Sequence, residues 1–191
     1  MQELKDRIIR EGKVLPGNIV KVDGFLNHRI DTELMTHIAE EFGRHFDMDQ
    51  VSLILTAEAS GIALAAIVAQ HFGKPMIFAK KAKSDNIEGG LYQSEIFSYT
   101  YKKKVTLLVA KEWISADDKI LIVDDFMANG EAMRGLCDIV EKSGAELMGI
   151  GCAVEKGFQG GGDRLRAAGY NLKSLAIIEK AEPGNIVFRK D

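Results

Sequence analysis

Ile120-Leu121-Ile122-Val123-Asp124-Asp125-Phe126-Met127-Ala128-Asn129-Gly130-Glu131-Ala132 is the stretch that decides the fold. The four branched apolar residues at its start predict a strand buried on both faces, as in a parallel sheet. Two adjacent carboxylates follow at the strand's end. A short loop of small, amide and glycine residues then opens onto a helical pattern over about residues 131–142, ended by Gly144. That order sets two acids beside a ring of free backbone N–H groups. Acids hold hydroxyls or a cation and N–H groups hold a phosphate, so the chemistry suits a sugar phosphate. Adjacent like charges repel, and a ribose diol or a cation relieves them. Neighbouring acids point in different directions, so one is expected to face ligand and the other protein. Glu131 suits an anion site only if its side chain points away from it.

The pattern repeats upstream and downstream. Val51-Ser52-Leu53-Ile54-Leu55 reads as a buried strand, followed by the small-residue turn Thr56-Ala57-Glu58-Ala59-Ser60-Gly61 and a helix to Phe72 that stops at Gly73. Asp31 is a candidate N-cap for an earlier helix carrying Leu34, Met35, Ile38, Ala39, Phe42 and Phe46 on one face. Met76-Ile77-Phe78-Ala79 is another strand, ending in Lys80-Lys81. Residues 96–100 and 105–110 predict a hairpin-like excursion, and residues 82–93 hold no clear apolar period. A strand over about residues 147–154, a short helix near 163–168 and strands near 175–178 and 186–188 complete the chain. Strand, turn and helix in alternation give an α/β fold with a mainly parallel central sheet covered on both faces. The leading 30 residues stand outside this alternation and are expected to form a small subdomain or flap. No linker or internal repeat divides the 191 residues, so one domain is expected.

Composition narrows the function. The chain is 46% hydrophobic with a formal net charge of -3, which argues against a generally basic nucleic-acid binder. Cys137 and Cys152 fall in a helix and a strand pattern, as buried free thiols do. The charged N-terminus has no apolar leader and no run approaches membrane-spanning length, so a cytoplasmic protein is expected.

In a parallel sheet, ligands sit beyond the carboxyl ends of the strands. The polar and glycine residues converge on that edge: Ala57–Gly61, Lys80, Lys81 and Lys83, Asp124–Ala132, and Glu155–Phe158. Lys102–Lys104 read as solvated surface. His28, His37, His45 and His71 lack ligand spacing, and no nucleophile motif, dinucleotide fingerprint or Walker loop is present. No metal site is assigned.

Val123–Ala132 resembles the PRPP-binding motif of the type I phosphoribosyltransferases. The likeness extends to Leu26-Asn27-His28-Arg29-Ile30-Asp31, Glu58-Ala59-Ser60-Gly61-Ile62-Ala63, Phe78-Ala79-Lys80-Lys81 and Val154-Glu155-Lys156-Gly157-Phe158-Gln159, which are similar to segments of the family's xanthine-using bacterial members. The resemblance implies the type I phosphoribosyltransferase fold with a small hood drawn partly from about residues 1–30. It implies that Asp124 and Asp125 hold the ribose hydroxyls of PRPP, and that Ala128, Asn129, Gly130, Glu131 and Ala132 bind its 5-phosphate through the backbone. Ala57, Glu58, Ala59, Ser60 and Gly61 become the pyrophosphate loop, with Lys80 and Lys81 beside it. Val20, Asn27 and Lys156 would hold xanthine. A mobile segment over about residues 84–104 would close over the site. Mg²⁺ arrives with PRPP, and a homodimer is implied.

This chain departs from the family pattern at Asn129 and Ala132, where Thr or Ser is usual. Asn129 still offers a hydrogen-bonding side chain, and Ala132 leaves the backbone donors intact. At Ala128 some relatives carry an acid proposed as a proton acceptor, so no general base is assigned here. Two other readings stay open at this point: transfer to hypoxanthine, guanine or adenine, and a PRPP-sensing transcription regulator. The acidic charge and a sequence that opens directly on the hood-like segment disfavour the regulator.

Overall fold

The computed structural model describes residues 1–81, 90–98 and 103–190. In chain order the elements are α1 (Gln2–Glu11), β1 (Lys13–Leu15), β2 (Ile19–Lys21), a π-helical turn (Asp23–Asn27), α2 (Thr32–Gly43), β3 (Leu53–Ala57), α3 (Gly61–Phe72), β4 (Met76–Ala79), β5 (Leu91–Ser98), β6 (Lys103–Ala110), β7 (Lys119–Met127), α4 (Glu131–Ser143), β8 (Glu146–Lys156), α5 (Gly161–Ala167), β9 (Leu172–Glu182) and β10 (Asn185–Phe188). Six strands form the central sheet in the order β10-β9-β8-β7-β3-β4. All neighbours pair in parallel except β10, which runs antiparallel to β9. The expected α/β fold with helices on both faces is the one observed.

Strand alternation builds two apolar layers. Leu121 and Val123 of β7 join Ile54 of β3 and the buried faces of α1, α2 and α3. Ile120 and Ile122 join Leu53, Leu55, α4 and the β5–β6 hairpin on the other side. The leading residues belong to the first layer: Leu4, Ile8, Val20, Val22, Phe25 and Leu26 are buried within it. Their apolar side chains therefore anchor the leading segment to the core. Cys137 and Cys152 are buried free thiols, and burial pushes the Cys137 thiol up to about 12.

Several boundaries differ from the sequence reading. β7 does not stop before the acids but runs through both of them to Met127, because β8 keeps pairing alongside: Asp124 lies opposite Cys152, and Phe126 opposite Val154. Phe46 is buried but lies beyond the end of α2. β5 begins at Leu91, ahead of the expected residue 96. The polar Ser94 occupies a buried position there, next to exposed Gln93 and Glu95, which hides the alternation. Within the expected mobile stretch 84–104, residues 91–98 and 103–104 are paired strand. Lys83 and Lys102 lie outside the described residues.

Asp31 caps α2 as expected: its carboxylate accepts from the Leu34 N–H at 3.1 Å and from Arg7 Nη2 at 2.8 Å. The Leu34 bond, aided by Arg7, holds the Asp31 carboxyl below the usual range. A depressed carboxyl stabilises the fold above its unfolded pKa and loses that contribution as pH falls through the folded value. Asp31→Ala is expected to cost about 1 kcal/mol, or roughly 2–4 °C in Tm for a chain of this size. Thermal unfolding of both proteins should show the gap at neutral pH and its closure in acid.

Candidate active site

A cavity of about 220 Å³ opens at the carboxyl ends of β3, β4 and β7. Ala57, Glu58 and Ser60 form one side, with Lys81 beside them. Asp124, Phe126 and the loop from Ala128 to Ala132 form another, and Ile96, Phe97 and Val105 of the hairpin close a third. Three of the sequence-predicted segments thus meet in one space. Within the turn, Ala59 and Gly61 are off the cavity wall, and the Glu58–Ala59 peptide is cis.

The two acids separate as neighbours on a strand must. Asp124 is on the cavity wall. It also lies against the start of α3, where a Cβ on Gly61 would run into Asp124 Oδ1 and Thr56 Oγ1. Burial, and then the charge of Asp125, pushes the Asp124 carboxyl well above the usual carboxylate range. Its anion is therefore poorly stabilised until a hydroxyl donor or a cation comes near. Asp125 is fully buried and off the cavity wall, and its Oδ2 accepts from Asn27 Nδ2 at 2.9 Å. Asp125 Oδ1 has no hydrogen-bond partner among the described residues.

The loop is shaped for close approach. Gly130 has φ +78°, a left-handed conformation that suits glycine, and it turns the chain directly into α4. The backbone N–H groups at the start of α4 lack helical partners and carry the positive end of its dipole. The Glu131 carboxylate accepts from Arg134 Nη2 at 3.1 Å and from the Phe97 N–H at 3.5 Å, and Glu131 stays on the cavity wall.

Behind the loop stands α5, the short helix expected near residues 163–168. A Cβ on Gly161 would sit 2.5 Å from Ala128 O and 2.6 Å from Gly130 N. Arg164 Nη2 donates to Asn129 O at 3.1 Å. Arg166 fastens the helix from below, reaching the fully buried Glu155 at 2.6 and 3.1 Å. Glu155 is consequently a structural anchor and does not face the cavity edge. The signal for this support was the run Gly160-Gly161-Gly162, whose missing side chains permit the contact.

Lys81 lines the cavity, whereas Lys80 does not. The Lys80 backbone exchanges hydrogen bonds with Leu108 at 2.8 and 2.9 Å and so ties the hairpin to the end of β4. Val20 is buried in the hood's apolar layer. Asn27 and Lys156 reach the end of β7 from separate elements, Asn27 at Asp125 and Lys156 with Nζ 5.4 Å from the Phe126 ring centroid. Burial lowers the pKa of the half-buried Lys156 ammonium. Among the described residues no group of three or more His, Cys, Asp or Glu is arranged to hold a metal ion.

The phosphoribosyl transferase domain model matches residues 23–168, which include every element of this cavity. The chain belongs to the phosphoribosyltransferase family. Xanthine phosphoribosyltransferase of Bifidobacterium longum is 51% identical over 192 residues, covering 99% of this chain and 100% of the relative. The enzyme of the same name from Lachnoclostridium phytofermentans is 51% identical over 193 residues, the full length of both. Among solved phosphoribosyltransferases, that of Giardia lamblia with 9-deazaadenine aligns at TM-score 0.76 over 93% of this chain and 98% of its own, at 20% identity. Adenine phosphoribosyltransferase of Saccharomyces cerevisiae aligns at TM-score 0.75 over 91% and 97%, also at 20% identity. Those two likenesses concern the fold alone.

Forcing a methyl group into a packed contact costs about 1–3 kcal/mol. At Gly161 that cost falls on the loop above it. Gly161→Ala is expected to weaken ribose 5-phosphate binding by roughly tenfold and to lower Tm by roughly 2–12 °C, as calorimetric titration and thermal unfolding would show. Wild-type affinity in this variant would mean that α5 does not set the loop's position.

Proposed function

We propose that this phosphoribosyltransferase converts xanthine and PRPP into XMP and pyrophosphate, in purine salvage. The observation that carries this reading is full-length identity of 51% to relatives named for that reaction. The geometry is consistent with it. Asp124 faces the cavity for the ribose hydroxyls, the Ala128–Ala132 backbone offers N–H groups for the 5-phosphate, and the Ala57–Gly61 turn with Lys81 is available to pyrophosphate. Asn27 and Lys156 are the candidate purine ligands, with Val20 as apolar backing.

A purine nitrogen attacks the anomeric carbon of PRPP as the bond to pyrophosphate breaks, and the transition state carries oxocarbenium-like positive charge. Positioning and electrostatics then supply the catalysis. Asp124 lies where negative charge supports the sugar. Lys81 and the small-residue turn stabilise the leaving group, whose charge is also shielded by the Mg²⁺ that travels with PRPP. Ala128 cannot accept a proton. Xanthine loses a proton near neutral pH more readily than other natural purines, so it can react as the anion. Lys156 has no acidic partner among the described residues and suits that charge. Lys156 and Asn27 donate to the 2-oxo group that hypoxanthine lacks.

The enzyme is also proposed to be cytoplasmic and homodimeric. Light scattering should then read twice the 21.0 kDa of the chain. No helix among the described residues is long and apolar enough to cross a membrane.

With PRPP and Mg²⁺ supplied, xanthine should outcompete hypoxanthine, guanine and adenine in a mixed-base assay. Absence of XMP would refute the reading. A buried donor left unpaired costs about 1–3 kcal/mol. Lys156→Ala should therefore lower kcat/KM for xanthine by about tenfold or more relative to hypoxanthine. Equal losses on both bases would remove Lys156 from base recognition.

A further inference from the structure

α5 has only 7 residues, and a helix that short is not stable in water by itself. Its position is set by what holds it. Gly161 bears on the loop, Arg164 holds the Asn129 carbonyl, and Arg166 reaches the buried Glu155. A further hold comes from the edge of the sheet, where Arg189 grips Asp163. We propose that Arg189 is a positioning residue for the phosphate half of the site: through Asp163 it seats α5 against the loop from Ala128 to Ala132. The inference rests on the reading of that loop as the 5-phosphate site.

Arg189 directly follows β10, and its N–H donates to Ile177 O at 2.8 Å, so its main chain is fixed by β9. Its guanidinium engages two carboxylates. Nη1 and Nη2 reach the two oxygens of Asp163 at 2.7 and 2.9 Å, a bidentate fork that fixes angle as well as distance. Nε donates to Glu179 of β9. Glu179 belongs to the central sheet, so the fork is referenced to the sheet and is not free to follow α5. Asp163 lies in the first turn of α5, and Arg166 also reaches it at 3.2 Å. Arg189, first among the causes, holds the Asp163 carboxyl below the usual range.

Ion pairs as exposed as these add little to stability. Their effect here is on geometry. The contact between Gly161 and the loop leaves no slack, since a Cβ there would already lie 2.5 Å from Ala128 O. A small rotation of α5 therefore moves the loop with it. Backbone N–H groups hold an anion only within a narrow range of distance and angle, so a displaced loop binds phosphate less well. A merely structural pair would change Tm and leave the balance between the two substrates untouched.

Arg189→Ala should weaken ribose 5-phosphate binding by about three- to fivefold in calorimetric titration, with Tm lowered by no more than about 4 °C. In steady-state assays the KM for PRPP should rise by a similar factor, with kcat and the KM for the base within about twofold of wild type. In an Asp163→Ala background, Arg189→Ala should change the affinity by less than about 1.5-fold, because the two residues act as one unit. Wild-type affinity in Arg189→Ala, or the same loss in both backgrounds, would overturn the inference. So would a fall in kcat with an unchanged KM for PRPP.

A second measurement needs no turnover. In ¹H–¹⁵N spectra, the backbone amide signals of Asn129 and Gly130 should move on Arg189→Ala, because their link to Arg189 runs through α5. Unmoved signals would overturn the link. Loss of ribose 5-phosphate affinity in Gly161→Ala but not in Arg189→Ala marks failure of this inference alone. Wild-type protein that does not bind ribose 5-phosphate marks failure of the loop reading, and the inference falls with it.

Discussion

The site depends on β7 remaining a paired strand through its acidic end. β3 lies on one side and β8 on the other, and the β8 pairing continues past Asp124 as far as Met127. A loop at this point would have let both carboxylates drift into solvent together. A paired strand instead sends successive side chains to opposite sides. One acid is delivered to the cavity and the other to the hood. The cost is burial of two like charges side by side, which is why the Asp124 carboxyl is pushed upward. A positive charge or a hydrogen-bond donor beside Asp124 would relieve that burden.

The same strand end is held from below by a second polar arrangement. Glu155 is fully buried, with Arg166 at 2.6 Å and Ser174 Oγ at 2.5 Å. Buried ion pairs contribute little net stability but specify geometry. Here the geometry fixed is that of α5, whose glycines bear on the loop and whose Arg164 holds the Asn129 carbonyl. The loop from Ala128 to Ala132 is therefore clamped between the start of α4, into which it turns, and α5, which sets its height.

Much of this was legible in the residues. Apolar runs, glycine stops and the Asp31 cap give the α/β order directly, because each is a local property. The small-residue turn, Lys81, Asp124 and the loop were assigned to one edge because parallel strands deliver their ends there. What stayed hidden is long-range. No local signal pairs Asn27 with Asp125, 98 residues apart, since such side chains meet only once the sheet is assembled. Lys80 and Lys81 look equivalent as a basic pair. The bridge from Lys80 to Leu108 leaves only Lys81 on the cavity wall. Ser94 concealed the start of β5 because a polar residue sits where the alternation calls for an apolar one.

That bridge has a mechanical meaning. The β5–β6 hairpin is a sheet of its own, joined to the end of β4 by the Lys80–Leu108 pair and resting on α4 where Gly135 admits Ile96 and Leu107. It nevertheless supplies a full wall of the cavity through Ile96, Phe97 and Val105. The residue directly after the bridge is Lys81. The hairpin and the lysine are fastened at neighbouring residues but to different supports: Arg134 and Lys142 of α4 also hold the hairpin through its Glu95 and Gln93 carbonyls, and the Glu58 carboxylate holds the Lys81 N–H, so the wall and the cation are set in place from two sides of the cavity.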